Sequence, residues 1–228
     1  GRGLGEGDGG PLVVDAAPGV TSEQAGRDDA RLGTIGEPID RVSAAAWNAF
    51  TEATVITVGA RQTPQQPTSV SITGAGGQEP GAQHLVVVAE ELSEAVVILN
   101  HSGSAQLAQT VEIDVRQGAK LTLVSIHEWD EGSVHLAGHR ARIGRDAKLR
   151  HIVVTLGGDV VRLTPDAVLA EPGGEVDSIG MYFTDAGQHQ EHRLLIDHHA
   201  PNCKSRVAYK GALQGEDAHA VWIGDVAI

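Results

Sequence analysis

Aromatic residues are scarce in this sequence: they make up 3% of its 228 residues, although 41% of the residues are hydrophobic. A core with so few large rings must consist mainly of valine, isoleucine, leucine and alanine side chains. Small aliphatic side chains suit a narrow interior, and the length is sufficient for one well-buried domain. The composition therefore favours one principal domain with a thin aliphatic core.

Cysteine, basic residues and long apolar runs are also scarce. The one cysteine, Cys203, cannot form an internal disulfide, which fits a reducing compartment. Lysine and arginine number 17 against 30 acidic residues, and the formal net charge of −13 repels nucleic-acid phosphates and anionic lipid surfaces. No run approaches the ~20 apolar residues that span a membrane. We therefore expect a soluble, cytoplasmic protein that binds neither nucleic acid nor membrane.

The sequence does contain a repeat. Turn residues precede aliphatic stretches at residues 94–97, 118–121, 146–149 and 174–176, at spacings of about 24, 28 and 27 residues. A period in the twenties, with strands between the turns, is typical of a solenoid whose coils bury their apolar faces against each other. We predict an all-β fold, a parallel β-helix or β-solenoid, with glycines at its corners where positive φ is needed.

The N-terminal part of the sequence differs from the repeats. Residues 1–33 are rich in glycine and charge, and we expect them to form a flexible leading segment. Apolar residues then fall three or four apart from Ile39 to Phe50, which predicts a short amphipathic helix that caps the first coil. Residues 34–228 are assigned to the β-helix core.

Eleven histidines are the second unusual feature. In one group, His135 and His139 are expected on the same face of a strand, where they are candidate metal ligands with Glu128 or a neighbouring coil. The alternative is structural: histidines at solvent-facing positions of the strands form ladders between coils. Both interpretations stay open for this group.

A denser group follows at residues 189–204. His198, His199 and Cys203 offer imidazole and thiol ligands of the kind that zinc, iron and copper accept. The alternative is a buried turn held by hydrogen bonds, with Cys203 packed as a small apolar side chain. Hydrolase and nucleotide-binding motifs are absent, since the sequence has no Gly-x-Ser-x-Gly elbow and no glycine-rich loop before a Lys-Ser/Thr pair.

Several segments resemble the SufB/SufD family, and SufD most closely. The strongest are residues 195–205 (LIDHHAPNCKS), 209–215 (YKGALQG) and 221–225 (VWIGD), and their Asp-His-x-x-Pro-x-Cys-x-Ser stretch followed by Tyr-Lys-Gly is the specific part. Residues 47–50 (WNAF) and 156–162 (LGGDVVR) are similar to earlier parts of that family's core.

This resemblance implies a right-handed parallel β-helix that acts as a non-enzymatic scaffold subunit of the SufBCD complex, which assembles iron–sulfur clusters. SufB would form a heterodimer with it through the end of the β-helix, and the ATPase SufC would supply nucleotide hydrolysis. The cluster would form transiently in the complex, and this chain alone would bind no cofactor.

Members of the SufD group continue past the point where this sequence stops. The resemblance places the SufC contact there, together with the cysteine and histidine associated with nascent clusters, so it assigns no catalytic or cofactor-binding residue to this chain. We therefore expect a core fragment, truncated at its C-terminal end, whose last strand promotes self-association. Two alternatives remain: a metal-dependent enzyme of cupin or β-helix type that uses the histidine groups, and a polysaccharide lyase with paired acids in a groove.

Overall fold

The computed structural model describes residues 10–36, 38, 40–74, 76 and 79–228, and it shows a parallel β-solenoid of about six turns. The all-β prediction is therefore confirmed. In chain order the elements are β1 (Leu12–Asp15), β2 (Val20–Gly26), α1 (Arg41–Ala49), β3 (Glu52–Val58), β4 (Thr68–Thr73), β5 (Gly81–Ala89), β6 (Glu94–Gly103), β7 (Gln106–Val115), β8 (Lys120–Trp129), β9 (Val134–Ile143), β10 (Lys148–Thr155), β11 (Val160–Leu169), β12 (Glu175–Thr184), β13 (His189–Asp197), β14 (Lys204–Leu213) and β15 (His219–Ala227).

The strands form two sheets that face each other. From β3 onward, successive strands alternate between an eight-stranded sheet, in the order β15-β13-β11-β9-β7-β5-β3-β2, and a seven-stranded sheet, in the order β1-β4-β6-β8-β10-β12-β14. Each coil of the chain therefore adds one parallel strand to each sheet.

The pairing register confirms the repeat found in the sequence. Glu94 of β6 pairs with Lys120 of β8, Lys120 with Lys148 of β10, and Lys148 with Glu175 of β12. Residues at the same position in consecutive coils are therefore 26 to 28 positions apart in the sequence, and their side chains form a ladder along the solenoid axis.

Inward-facing aliphatic side chains form the core. One ladder contains Ala95, Leu121, Leu149 and Val176, all of them buried. Burying a leucine side chain of this kind contributes about 1.5–3 kcal/mol. Valine, isoleucine, leucine and alanine dominate the main cluster of buried apolar residues, as the low aromatic content predicts.

Backbone with positive φ marks the corners of the coils. Gly118, Asp146 and Gly173 occupy the same corner in three consecutive coils, with φ of 64°, 53° and 81°. The backbone N–H of Gly118 donates to the carbonyl of Arg145 in the next coil, so the corner is also hydrogen-bonded along the axis. Glycine, asparagine and aspartate were expected at the corners, and the same corner one coil earlier holds Leu92 at φ 58°, a conformation that is rare for an aliphatic residue.

Two reversed strands cover the N-terminal end of the solenoid. β1 pairs antiparallel with β4, and β2 pairs antiparallel with β3. Both lie within residues 1–33, for which flexibility was expected, and residues 1–9 lie outside the described residues. Four consecutive residues of β2 are exposed, at 21–24, so the sequence of this edge strand lacks the alternation of a half-buried strand.

The helix α1 lies beside the eight-stranded sheet and contacts β5, β7 and β9. The helix itself is confirmed, but the prediction that it caps the first coil was wrong. Ile39, from which the predicted pattern began, lies outside the described residues. Its N-cap is Asp40, whose carboxylate accepts a hydrogen bond from the backbone N–H of Ser43 at 2.7 Å. Asp40 also accepts from Arg162 of β11 at 2.8 Å, which ties the start of the helix to the sheet.

Buried Glu112 of β7 holds the segment that leads into the helix. Its carboxylate accepts hydrogen bonds from the backbone N–H of Gly33 at 2.7 Å and of Ile35 at 3.2 Å, and it contacts His84 Nε2 at 2.8 Å. Burial alone raises the pKa of Glu112, but these hydrogen bonds outweigh it and lower the pKa below its usual value. Phe50, just after the helix, stacks on the His84 ring with centroids 4.6 Å apart.

Candidate metal centre

Three buried histidines meet between the two sheets. His101 of β6 and His127 of β8 are neighbours in one ladder, and their rings stack with centroids 4.4 Å apart and planes 15° apart. His135 comes from β9 in the opposite sheet, with its ring centroid 5.0 Å from that of His101 and 5.1 Å from that of His127. One ligand atom from each side chain lies within 4.8 Å of the other two.

This arrangement follows from the coil geometry. His101 and His127 align because they occupy the same position in consecutive coils. His135 follows His127 by only eight residues, but the turn between β8 and β9 returns the chain across the interior and brings its ring back to them. We call these three residues the histidine triad.

Hydrogen bonds fix two rings of the triad. His101 Nδ1 lies 2.9 Å from the carbonyl oxygen of Ile126, and His101 Nε2 lies 3.0 Å from the side-chain oxygen of Gln109. His127 Nε2 lies 2.9 Å from the hydroxyl of Ser125, and His127 Nδ1 lies 3.2 Å from Nδ1 of His135. Both partners of His101 are acceptors, so neutral His101, with one ring proton, donates to only one of them.

Burial keeps the triad uncharged. It lowers the pKa of His101 to about 4, although the contacts with Ile126 and Gln109 oppose the shift. Burial also lowers the pKa values of His127 and His135 well below their usual range, and the other histidines nearby act in the same direction. All three imidazoles are therefore neutral at pH 7, which is the form that binds metal ions.

Three further histidines continue this polar interior along the solenoid. His139 Nδ1 lies 3.0 Å from His151 Nε2, and His192 Nε2 lies 3.0 Å from the hydroxyl of Thr155. Burial lowers the pKa values of His151 and His192 to about 4 and that of His139 well below its usual range. Among the described residues, His135 Nε2, His139 Nε2 and His192 Nδ1 are buried without a hydrogen-bond partner. We call His139, His151, His192 and the triad together the interior histidines.

The structure places His135 and His139 on the inward face of β9, as predicted for a shared face. The structural alternative, in which these histidines form solvent-facing ladders, was wrong for them because both side chains are buried. A surface ladder does exist between His189 and His219, whose Nδ1 atoms are 2.7 Å apart.

The second predicted group lies at the turn between β13 and β14. His198 is half-buried and bonds through Nε2 to the hydroxyl of Ser205 at 2.8 Å, while His199 is exposed. Cys203 is half-buried against the core, with Sγ 3.4 Å from the carbonyl oxygen of Glu171. Among the residues that the structure describes, the three metal-ligating side chains that lie close together are those of the triad. A metal role for His198, His199 and Cys203 therefore stays a prediction.

His101 and His151 were missed in the sequence. The histidines were grouped by their proximity along the chain, whereas the coil period is what aligns His101 with His127. If the sequence is written in rows of one coil, about 26–29 residues, His101 and His127 fall one above the other.

A surface cleft of about 250 Å³ offers a different kind of chemistry. It lies beside β9 and β11 and includes Gly36, Arg140, Asp166 and Asp197. Burial raises the pKa of Asp166 to about 7; Arg140 opposes this shift and Asp40 supports it. This carboxyl group can therefore exchange a proton near neutral pH.

Comparison with known proteins defines the class to which this solenoid belongs. Residues 71–228 match the family model for the SUF system FeS cluster assembly, SufBD core domain. The chain therefore belongs to the SufBD family of iron–sulfur cluster assembly proteins, as the sequence segments predicted.

Individual relatives agree with this assignment. The chain is 47% identical over 223 residues to the iron-sulfur cluster assembly SufBD family protein Rv1462 of Mycobacterium tuberculosis. The aligned region covers 95% of this chain and 56% of that protein. The family protein ML0594 of Mycobacterium leprae is also 47% identical, with 95% of this chain and 57% of that protein covered. The chain thus spans just over half the length of these relatives. Among its described residues, no helix is long and apolar enough to cross a membrane.

Proposed function

We propose that this protein is a non-catalytic, SufD-like scaffold subunit of a SufBCD complex that assembles iron–sulfur clusters in the cytoplasm. The observation that carries this proposal is the SufBD core-domain match over residues 71–228, which falls on the stacked coils themselves. A solenoid suits such a role because its stacked coils present long, regular faces and edges to other proteins.

Burial of the histidine triad favours a scaffold over a metal-dependent enzyme. His101, His127 and His135 have exposed fractions of 1%, 0% and 0%. A catalytic metal keeps a coordination position open to water or substrate. An ion held by these three side chains would have no such access in this structure, so the triad does not supply the open site that the enzyme interpretation requires.

The proposed contacts with partner proteins involve β14 and β15. β14 and β15 are the last strands of their sheets and have many exposed residues. Leu213, Trp222, Ile223 and Val226 each expose between 41% and 53% of their surface there. We propose that SufB joins at this end of the β-helix, that SufC binds through a region past residue 228, and that the cluster forms transiently in the assembled complex.

Co-expression tests this proposal. The full-length protein and the 228-residue chain are each produced with SufB and SufC, and complexes are captured through a tag on SufB. We expect the full-length protein to be captured together with SufC. The 228-residue chain should lose SufC, because the proposed contact lies outside it.

The circular dichroism spectrum of the 228-residue chain provides the control, since a β-rich spectrum shows that loss of SufC is not caused by unfolding. The proposal fails if the full-length protein is captured with neither partner, or if the folded 228-residue chain retains SufC as well as the full-length protein does.

A further inference from the structure

We propose that the histidine triad binds one divalent first-row transition-metal ion inside the solenoid, between β6 and β8 of one sheet and β9 of the other. This inference concerns the side chains of this chain alone, and it does not depend on the proposed function in cluster assembly.

The distance between two of the ring nitrogens fits shared coordination. His127 Nδ1 and His135 Nδ1 are 3.2 Å apart. Two nitrogens bound tetrahedrally to zinc at about 2.0–2.1 Å would be separated by about 3.3–3.4 Å. These atoms thus already have nearly the spacing that a metal ion requires. The nearest ligand atom of His101 lies within 4.8 Å of both of the other side chains, within reach of a small ring movement.

The polar groups around His101 also favour a cation. The groups beside its two nitrogens are both acceptors: the carbonyl oxygen of Ile126 lies 2.9 Å from Nδ1 and the side-chain oxygen of Gln109 lies 3.0 Å from Nε2. Neutral His101 carries one ring proton, so one of its nitrogens turns a lone pair towards an oxygen, and in the Nδ1–H tautomer the facing pair is Nε2 and Gln109. A metal ion beside the two atoms would replace this repulsion with bonds to nitrogen and oxygen.

The third ring of the triad lies in an environment that is costly for a histidine. His135 is fully buried, and its Nε2 has no hydrogen-bond partner among the described residues. An unsatisfied buried polar atom costs about 1–3 kcal/mol. Because Nε2 stays unpaired, a histidine at this position needs a strong interaction through its other nitrogen, Nδ1, and the proposed metal coordination supplies one.

The surroundings resemble those of established metal sites in one further respect. Ligating histidines almost always use their second nitrogen in a hydrogen bond that orients the ring. Here Ser125 takes this role for His127, and the carbonyl of Ile126 takes it for His101. Two of the three rings are therefore held in place independently of the metal.

The ligand set defines the chemical class of the ion. Neutral imidazoles suit zinc, iron, cobalt, nickel and copper, whereas magnesium and calcium prefer oxygen ligands. Iron–sulfur clusters are held mainly by thiolates, and Cys203 lies at the β13–β14 turn outside the triad. The proposed site is therefore distinct from a cluster-binding site.

Cobalt is a suitable probe because tetrahedral Co²⁺ absorbs visible light far more strongly than octahedral Co²⁺. The untagged 228-residue chain is unfolded with a chelator present and then refolded with Co²⁺, since the buried site is most accessible before the coils close. We expect one Co²⁺ per chain, a visible absorption band of tetrahedral type and a higher melting temperature than that of the metal-free chain.

His135→Phe is the main test variant because it keeps a ring at this position and removes both nitrogens. We expect its bound Co²⁺ to fall at least tenfold and the visible band to disappear. His192→Gln is the matched control: His192 is equally buried, bonds Thr155 and has an unpartnered nitrogen, but lies outside the triad. This variant should keep one Co²⁺ per chain.

Ser125→Ala provides a second test that does not depend on how well His135→Phe folds. It removes only the hydroxyl that orients His127, and it should weaken Co²⁺ binding 10- to 100-fold in competition with a chelator. The inference is overturned if the refolded parent chain binds no Co²⁺, if folded His135→Phe keeps the band, or if His192→Gln lowers binding as much as the triad variant does.

Discussion

The interior histidines are bases held in their neutral form by the aliphatic tube around them. In the unfolded chain a histidine takes up a proton near pH 6.5, whereas burial lowers the pKa values of His101, His151 and His192 to about 4. The unfolded state therefore binds more protons than the folded state between these two pH values. Above about pH 6.5 both forms are neutral, and these residues cause no dependence of stability on pH.

This difference predicts that the protein loses stability as pH falls from about 6.5 towards 4. Each of these histidines adds up to about 1.4 kcal/mol per pH unit to the slope. Replacing His151 with phenylalanine should therefore flatten the slope by about that amount. Urea unfolding at several pH values from 4.5 to 7.5 measures it, and an unchanged slope in His151→Phe would contradict the assignment of a lowered pKa.

The histidines of β9 were predictable in part. Strand periodicity alone predicts that His135 and His139 share a face, but not that this face is the buried one. His101 could not be recognised as their neighbour without the register, because it belongs to a different strand and an earlier coil. The polar part of the interior was missed for a related reason. His101 and Gln109 are buried although they are polar, so the pattern of hydrophobic residues did not identify them as interior positions.

At the scale of elements, β12 and β14 are joined by reciprocal pairs of glycine and tyrosine. Gly180 of β12 lies opposite Tyr209 of β14, and Tyr182 of β12 lies opposite Gly211 of β14. Each tyrosine ring covers the glycine of the neighbouring coil, because a Cβ atom at either glycine would overlap that ring. Glycine is needed at these positions to make room for the ring, without any requirement for positive φ.

Gly180→Ala should therefore destabilise the protein by about 1–3 kcal/mol, because the added methyl group must displace the Tyr209 ring. Gly138 of β9 is the matched control, since a Cβ there meets Thr164 and Ser43 only at 3.5 Å and 3.8 Å. Gly138→Ala should be neutral or slightly stabilising. Urea midpoints of the two variants give the comparison, and equal effects would contradict the proposed role of the ring.

The positions of whole elements were predictable only in part. The coil period, the strands with aliphatic runs and most glycine corners could be read from the sequence because each follows from a local pattern. The location of α1 beside the sheet depends on distant contacts, such as those of Glu112 with Gly33 and Ile35. No local pattern encodes such contacts, so the helix was predicted correctly and placed wrongly.

Across the whole molecule, each coil depends mainly on the coils next to it. The central strands β7, β8 and β9 have a parallel neighbour on both sides, whereas β14 and β15 have a neighbour on one side. Most residues of β14 and β15 are also partly or fully exposed. Local opening should therefore require least energy at this end of the solenoid.

Hydrogen exchange tests this prediction in the 228-residue chain. We expect backbone amides of β14 and β15 to exchange at least about 100-fold faster than those of β7, β8 and β9, because opening them breaks fewer interactions. β3 and β4 should be intermediate, since β2 and β1 protect them. Uniform exchange rates along the chain, measured by mass spectrometry of peptides, would show that the solenoid opens as one cooperative unit instead.

The antiparallel pairing of β1 and β2 gives the molecule a direction. These two strands form the outer edges of the two sheets at the N-terminal end of the solenoid. β1 has four residues and β2 is polar, and both run antiparallel to the strands of the coils. A strand added at that face cannot continue the parallel pattern of either sheet, so β1 and β2 close this side of the solenoid to further coils.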